Sequence, residues 1–394
     1  MAIPKTGSHY VPKTRFAMNV LAYVHLPEIP RSTGAGRVAT QMTKHLSTQP
    51  ALDLRVLGNR SLYDATIPNV GPPWSEYTYA FFDQDTRMQK LKWYALKRPK
   101  AECYWSDVDV MYCSEESYVP TRHARLAVTA HDAALFESSG TAHSGGWQKW
   151  TQGVKWTLLY RRWAKEADLI HTVSQFSAER IAHHFPQIRD RLCVVPNAVA
   201  PHFFNPPPEA GREYVQKKNL SGRPFVLLPC GLHYRKNADL VLEAWPKIHE
   251  AYPNAKLVVT SHNDPHYAEK AQALGDSVLV TDFLSEETLH AVYSAATVTW
   301  MPSRYEGFGL PVLESMACGT PVVTSDTTAL PEVAGDAAIL ADVEDCAAHV
   351  DAVVALLRNE EERARLIEKG KDRAQKFTWE RAAESLYSSF REIA

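Results

Sequence analysis

Long apolar runs are missing from this chain. Its longest, such as Phe225–Pro229 and Val298–Met301, fall far short of the ~18–20 residues that a membrane helix needs. Residues 1–17 are polar and contain proline, without the apolar centre of a secretory signal. The six cysteines show no CxxC spacing, which speaks against structural zinc and for a reducing compartment. We therefore expect a cytoplasmic protein.

Charge of one sign does not dominate, because 43 Lys and Arg stand against 45 Asp and Glu among 394 residues. Residues 1–200 nevertheless hold 24 basic and 17 acidic side chains, whereas the remainder holds 19 and 28. This length suits two domains of roughly 150–200 residues. The basic half suits an anionic membrane or a phosphorylated acceptor, unless the asymmetry is ordinary surface variation. No nucleic-acid partner is expected.

The second half of the chain predicts strands that alternate with helices. Short apolar runs predict the strands, and a helix is expected from Asn237 to about Tyr252. The predicted strands are Phe225–Pro229, Lys256–Thr260, Ser277–Thr281, Thr297–Met301 and Pro321–Thr324. Alternation of this kind indicates an α/β fold with a parallel sheet covered on both faces. Ligands of such sheets bind at the carboxyl ends of the strands.

The first half shows the same alternation less clearly. A loop with Gly34 and Gly36 follows the first predicted strand and precedes a helix expected from about Arg37. The predicted strands are Asn19–Leu26, Leu126–Thr129, Asp168–Val173 and Cys193–Pro196. The predicted domains are therefore residues 1–200 and 223–377, joined by a Pro-rich linker at 201–222. A final helix at 378–394 carries an apolar face.

The segment from Tyr305 to Pro321 predicts an anion site. Gly307 and Gly309 allow a tight loop after a strand, and Pro311 suits the first turn of a helix. The free amides and the dipole at such a helix start bind phosphate.

Two carboxylates frame this segment. Glu306 lies in the loop and Glu314 about one turn into the helix, from where its side chain tilts back towards the same cleft. Carboxylates repel phosphate but accept hydrogen bonds from sugar hydroxyls, each contributing roughly 1.5–3 kcal/mol. The pair predicts a nucleotide sugar as ligand, whereas two glutamates without the Gly and Pro context would be read as solvated surface acids.

The run EGFGLPVLESMACGTPVV, starting at Glu306, closely resembles the donor-site signature of family 4 glycosyltransferases, with Glu306 and Glu314 as E-x7-E. Further segments resemble the same family: Gly34-Ala35-Gly36-Arg37, His131, Val173–Ser177, Val194–Asn197 and Gly231 with Arg235-Lys236-Asn237. The resemblance implies the GT-B fold, two Rossmann-like domains facing a cleft. It also implies that the final helix crosses back onto the first domain.

The resemblance further implies a retaining hexose transfer in which the leaving phosphate takes the acceptor's proton. Arg235 and Lys236 would then neutralise the departing diphosphate, Glu306 would contact the sugar, and Glu314 the ribose. His131 would contact the donor sugar or position the acceptor. The remaining donor-site residues implied are Gly34, Gly36, Gly231, Gly307, Phe308, Gly309 and Leu310.

The donor and acceptor are expectations of the family alone. We favour mannose from GDP-mannose, moved to a lipid-linked glycan in polysaccharide synthesis, with UDP-glucose or UDP-GlcNAc as alternative donors. A nucleotide-sugar epimerase and a non-catalytic nucleotide-sugar-binding scaffold are further alternatives. A dehydrogenase is disfavoured because Gly34-Ala35-Gly36 lacks the third glycine of a dinucleotide fingerprint.

Two DxD triplets, Asp83-Gln84-Asp85 and Asp107-Val108-Asp109, match a pattern that holds Mn²⁺ or Mg²⁺ on a diphosphate in another transferase architecture. Neither triplet follows a clean buried strand. We therefore expect no metal and no other cofactor.

The segment from Trp147 to Trp163 mixes aromatic and basic residues, a composition that suits a bilayer interface. Met88, Leu91 and Leu96 lie in a second basic stretch. These features raise the hypothesis that the first domain makes a peripheral contact with the inner face of an anionic membrane. The alternative is that Trp156, Tyr160 and Trp163, which share one helical face, belong to the core.

Overall fold

A computed structural model describes residues 18–28, 34–137 and 146–394, with side chains from residue 153 onwards in the last range. Within these residues, two parallel sheets are each covered by helices on both faces. The last strand of the first sheet ends at Val194, and the first strand of the second begins at Phe225. Residues 1–17, used above as an argument against a secretory signal, lie outside the described residues.

The first sheet has seven strands in the order β3-β2-β1-β4-β5-β6-β7, all paired in parallel. Its strands are β1 Met18–Tyr23, β2 Leu52–Asn59, β3 Thr78–Phe82, β4 Val110–Cys113, β5 Arg125–Thr129, β6 Leu169–Thr172 and β7 Leu192–Val194. The order reverses beside β1, so the carboxyl ends of β1 and β4 flank the crevice in which such sheets bind ligands.

The second sheet has six parallel strands in the order β10-β9-β8-β11-β12-β13. Its strands are β8 Phe225–Leu228, β9 Lys256–Val259, β10 Val278–Val280, β11 Val298–Met301, β12 Val322–Ser325 and β13 Ile339–Ala341. The order reverses beside β8, which places the loops after β8 and β11 at its switch point.

The helices cover these sheets and connect the strands. They are α1 Gly34–Leu46, α2 Arg60–Thr66, α3 Thr86–Leu96, α4 Gly146–Glu166, α5 Gln175–His184, α6 Glu209–Lys217, α7 Ala238–Ala251, α8 Pro265–Gln272, α9 Glu286–Ala295, α10 Leu310–Ala317, α11 Leu330–Ala334, α12 Cys346–Arg358, α13 Glu360–Ala374 and α14 Trp379–Ile393. No helix of the described ranges is long and apolar enough to cross a membrane.

The predicted strands of the second half are all present. Most carry apolar runs buried on both faces, as in Phe225–Leu228 and Val298–Met301, whereas the edge strand β10 is half-buried. Two details differ from expectation. Helix α1 begins at Gly34, about one turn before the predicted start. The Pro-rich stretch 201–222 also contains helix α6, whose Gly211 lies tightly against the backbone carbonyl of Glu287 on α9.

The final helix packs on the first domain. The Thr378 hydroxyl caps α14 by accepting a hydrogen bond from the Arg381 amide. Trp379, Leu386 and Phe390 are buried in one cluster with residues of α1 and the first sheet, and the Phe390 ring lies 5.3 Å from the Tyr112 ring. The predicted return of this helix to the first domain is therefore confirmed.

Candidate functional site

A cavity of about 850 Å³ lies between the carboxyl edges of the two sheets. Both domains line it, and it brings together most of the residues predicted for the site. Lining residues among those predicted are Gly34, His131, Arg235, Lys236, Glu306, Gly307, Phe308, Gly309, Leu310 and Glu314. Gly36 is buried in the first turn of α1 and Gly231 lies next to the lining residue Cys230, so these two support the wall.

Glu306 is held by the two cations of the loop after β8. Lys236 Nζ lies 2.5 Å from Glu306 Oε1, and Arg235 Nη1 lies 3.2 Å from Glu306 Oε2. Burial raises the pKa of Glu306, but Lys236 and Arg235 outweigh it, so the pKa lies below its usual value. The three side chains form a network with one net positive charge at the cavity wall.

The loop that carries Glu306 requires glycine at two positions. A Cβ on Gly307 would lie 2.7 Å from Asp132 Cβ of the first domain, so only hydrogen allows this approach. Gly309, directly before α10, has a φ of 110°, a conformation that strains other residues. The glycines therefore let the loop pass close to the first domain and turn into the helix.

Glu314, on α10, also lies against the cavity but is not free. Arg37 Nη1 of the first domain donates to Glu314 Oε1 at 2.7 Å, and the Tyr293 hydroxyl donates to Oε2 at 3.0 Å. Glu314 raises the pKa of Arg37, while burial raises the pKa of Tyr293 well above its usual value. The sequence pattern marks Arg37 only as part of a glycine loop, and its pairing with Glu314 arises from the fold.

His131 and Asp132 form the opposite wall, at the carboxyl end of β5. Within the part of the chain that the structure describes, His131 Nε2 is buried and has no hydrogen-bond partner. Its backbone amide donates to Glu116 Oε1 at 3.3 Å. Burial raises the pKa of the Asp132 carboxyl, which lies against Gly307. A polar ligand atom would satisfy His131.

Polar contacts join the two domains beside this wall. The hydroxyls of Ser174 and Ser177, at the start of α5, donate to the Gly307 carbonyl at 2.6 and 3.0 Å. Glu332 of α11 accepts the amides of Gln175 and Phe176 at 3.0 and 3.2 Å. These bonds satisfy first-turn amides of α5 from the other domain. The cavity is therefore shaped by a closed arrangement of the domains.

The rim of the cavity contains residues that sequence reasoning missed. Phe283 follows β10, lines the cavity and is 61% exposed. His233 and His262, whose ring centroids lie 5.7 Å apart, also line the cavity. Burial lowers the pKa of His233. Nothing in the sequence pattern marks these residues, because they meet only when the loops after β8, β9 and β10 converge.

One aspartate of each DxD triplet has a structural partner. Asp85 caps α3 by accepting the amides of Arg87 and Met88, and Asp109 Oδ2 accepts the Asn19 amide at 2.7 Å. Across the described ranges, no three His, Cys, Asp or Glu side chains are grouped as a metal site would need.

The aromatic segment around α4 divides between core and surface. Tyr160 and Trp163 are buried in the core of the first domain, and Trp156 is partly buried against it. The core alternative is therefore correct for these three residues. The side chains of Trp147 and Trp150 lie outside the described residues.

Two family models match the chain. The model of glycosyl transferases group 1 matches residues 212–373, and that of Glycosyltransferase Family 4 matches residues 33–203. Together they span the strands of both sheets that follow β1. The matches agree with the resemblance found in the sequence.

Similar proteins include mannosyltransferases. The O-antigen chain mannosyltransferase B of Escherichia coli is 25% identical over 91% of this chain and 96% of its own length. A GDP-mannose-dependent alpha-(1-6)-phosphatidylinositol dimannoside mannosyltransferase of Mycobacterium tuberculosis is 33% identical, but over 43% of this chain and 45% of its own length.

Solved structures share the architecture. WaaG, a glycosyltransferase involved in lipopolysaccharide biosynthesis, has a TM-score of 0.68 at 14% identity, covering 96% of this chain and all of that one. The predicted fold, two Rossmann-like domains facing a cleft, is thereby confirmed.

Proposed function

Because the chain belongs to the group 1 and family 4 glycosyltransferases, we propose that it moves a hexose from a nucleotide sugar to a glycan, with retention of configuration. The observation that carries this proposal is the placement of Glu306 and Glu314 on one cavity, which Arg235 and Lys236 also line while both pair with Glu306. A ligand with a central diphosphate and hydroxyls at both ends suits that arrangement of charges.

The charged groups suit departure of a nucleoside diphosphate. Bond cleavage leaves negative charge on the diphosphate, and the net positive network of Glu306, Arg235 and Lys236 would stabilise it. First-turn amides of α10 would add donors. Arg235 offers a planar fork to phosphate, and Lys236 offers a point charge.

Retention without an enzyme nucleophile is supported by the state of the carboxylates. Glu306 is engaged by two cations, and burial favours the neutral form of Asp132. Neither is therefore a strong nucleophile. We propose that the acceptor hydroxyl attacks on the face of the leaving phosphate, which takes its proton, while His131 Nε2 contacts the donor sugar or the acceptor.

GDP-mannose is the first donor to test. A relative that matches most of the chain and one that matches less than half of it are both mannosyltransferases. Thermal unfolding would be followed with GDP-mannose, UDP-glucose and UDP-GlcNAc. A donor at 100 times its dissociation constant stabilises by about 2.7 kcal/mol. Stabilisation by a UDP-sugar alone would assign the alternative donor, and no shift with any nucleotide sugar would contradict the proposal.

The site assignment is tested by substitution. Lys236→Ala and Glu314→Ala should abolish the donor-dependent stabilisation, because each removes a proposed contact to the donor. Lys270→Ala is the matched control, since Lys270 is exposed on α8 away from the cavity. An undiminished shift in both site variants would refute the assignment.

The proposed transferase and its two alternatives differ in what becomes of the donor. An epimerase would convert the donor without an acceptor, and a binding scaffold would bind it without turnover. A retaining transferase yields a glycoside with the anomeric configuration of the donor, measurable by NMR. Full activity in EDTA is expected, and a loss restored by Mn²⁺ would overturn the metal-free assignment.

We propose a lipid-linked acceptor because the first domain has an exposed apolar surface. This surface is formed by Met88, Leu91 and Leu96 on α3 and by Val154 and Leu158 on α4. These side chains are 40–65% exposed, and the Tyr94 hydroxyl joins the two helices by donating to the Leu158 carbonyl at 3.1 Å. Exposed cations flank this α3–α4 surface: Arg87, Arg98, Lys155 and Arg161. Apolar side chains among cations suit an anionic bilayer.

Liposome flotation tests this contact. The protein should float with vesicles containing phosphatidylglycerol at low salt and less with neutral vesicles. The double variant Met88→Glu and Leu91→Glu should reduce flotation, whereas Leu340→Glu, on an exposed position of the second domain, should not. No binding by the unchanged protein would remove the membrane from the proposal.

A further inference from the structure

Arg37 crosses the cleft between the domains. It lies in the first turn of α1, in the first domain, and its Nη1 donates to Glu314 of α10, in the second domain, at 2.7 Å. The Glu314 side chain is only 4% exposed. A buried carboxylate needs compensating donors, and Arg37 and Tyr293 supply one for each oxygen.

The second domain surrounds the Arg37 guanidinium with acceptors. Besides Glu314 and Tyr293, Glu286 in the first turn of α9 lies close enough to raise the pKa of Arg37, as a smaller contribution than Glu314. Glu286 is itself paired with His202 of the interdomain connection at 3.0 Å. Arg37 therefore occupies an acidic notch that exists only when the domains are closed.

One N–H group of Arg37 has no hydrogen-bond acceptor among the described residues. Arg37 Nε is buried and, among the described residues, has no hydrogen-bond partner. Arg37 also lines the cavity, together with Gly34, Gly309 and Leu310. A buried guanidinium N–H without an acceptor is costly, so its presence on the wall of a ligand cavity points to an acceptor from the ligand.

We propose that Arg37 binds the nucleotide-sugar donor across the cleft. Its Nη1 fixes Glu314, while its Nε donates a hydrogen bond to an oxygen of the nucleoside diphosphate. This rests on the proposed function and names a contact from the first domain to the donor. Glu314 keeps acceptor capacity, because a carboxylate has about four lone-pair sites and two are in use. A ribose hydroxyl can therefore bind Glu314 while Arg37 remains in place.

The arrangement couples donor binding to domain closure. A contact to the donor from the first domain forms only in the closed state, so the donor favours that state by its differential affinity. Loss of Arg37 removes both the contact and the interdomain bond. A lysine at this position keeps a positive charge beside Glu314 but cannot serve two acceptors with one planar fork.

Calorimetric titration with GDP and UDP tests the proposal on the whole chain. Whichever nucleotide the unchanged protein binds, Arg37→Ala and Arg37→Lys should each lower the affinity for it by about tenfold or more. This is the effect of losing one charge-assisted hydrogen bond. Lys44→Ala, which removes an exposed cation from the same helix, should bind as the unchanged protein does. Arg37→Lys keeps the experiment decisive if Arg37→Ala fails to fold.

The other outcomes overturn the proposal in distinguishable ways. Full affinity in Arg37→Lys with weak binding in Arg37→Ala would make Arg37 an interdomain latch that does not touch the nucleotide. Equal or tighter binding in Arg37→Ala would mean that Arg37 contributes nothing or competes with the ribose for Glu314. No binding of either nucleotide by the unchanged protein would overturn the proposed function and this inference with it.

Discussion

His171, on β6, is fully buried between two partners. Its Nδ1 accepts from the Thr129 hydroxyl at 3.2 Å, and its Nε2 donates to the Val195 carbonyl at 3.1 Å. Burial lowers the pKa of His171 to about 4. The neutral ring therefore satisfies one donor and one acceptor, whereas the charged ring would leave a buried charge without a counterion.

This residue predicts the acid sensitivity of the fold. Between pH about 6.5 and about 4, His171 is protonated in the unfolded chain but not in the folded one, so the free energy of unfolding falls as pH falls. The loss is roughly 3 kcal/mol at 1.4 kcal/mol per pH unit. Urea unfolding at several pH values across this range gives the free energy of unfolding as a function of pH. This free energy should change less steeply with pH in His171→Gln than in His183→Gln, a change at an exposed position. Equal slopes would contradict the prediction.

At the scale of elements, the loop from β11 to α10 does three things within eight residues. It carries Glu306 towards the cations of the neighbouring loop, passes Gly307 against Asp132, and turns at Gly309 into α10. The short helix then presents Glu314, one turn in, to the same cavity. The interdomain bonds from Ser174 and Ser177 to the Gly307 carbonyl hold this loop from the other side.

Gly307→Ala should open this contact. The new Cβ would lie 2.7 Å from Asp132 Cβ and 2.8 Å from its Oδ2, so the domains must separate locally. Overpacking of this kind costs about 1–3 kcal/mol. We expect about a tenfold or greater loss of nucleotide affinity by calorimetry and a larger radius of gyration by small-angle scattering. Gly153→Ala, with open space around its Cβ, is the control, and an unchanged affinity in Gly307→Ala would count against the closed arrangement.

At the scale of the whole molecule, helix α14 follows the second domain along the chain but packs on the first. Helix α14 buries Trp379, Leu386 and Phe390 against α1 and the first sheet, and the Tyr387 hydroxyl donates to the Ala51 carbonyl at 3.3 Å. The two domains are thus joined twice by the chain, through residues after β7 and through the segment before α14. A hinge with two connections restricts how the cleft can open.

Phe390→Ala should therefore destabilise the first domain although it changes the end of the chain. Phe390 is fully buried, and truncation of a buried phenylalanine costs about 3–5 kcal/mol. Denaturant unfolding of Phe283→Ala, which truncates a 61% exposed side chain, should differ from the unchanged protein by about 0.5 kcal/mol or less. A similar small effect of Phe390→Ala would mean that α14 adds little to the core.

The amino-acid sequence by itself determined the fold class and the centre of the site. Phe225–Leu228 is apolar throughout, and so is Lys256–Val259 after its first residue, a pattern that a strand covered on both faces requires. The glycines and Pro311 around α10 are local requirements of a turn and a helix start, so they are visible along the chain. Strands β2 to β4 and β13 escaped prediction because their apolar runs are short or mixed with polar residues.

The tertiary structure alone decided which partners each charge of the site has. Arg37 and Glu314 are 277 positions apart, and Glu306 and Lys236 are 70 apart. Such pairs depend on how loops from separate strands and domains converge, a geometry that no local pattern encodes. Folding alone likewise places His131 and Phe283 at the cavity and brings the Ser174 hydroxyl to the Gly307 carbonyl. Charge and hydrogen-bonding capacity are properties of a residue, but their use depends on what folding brings within about 3 Å.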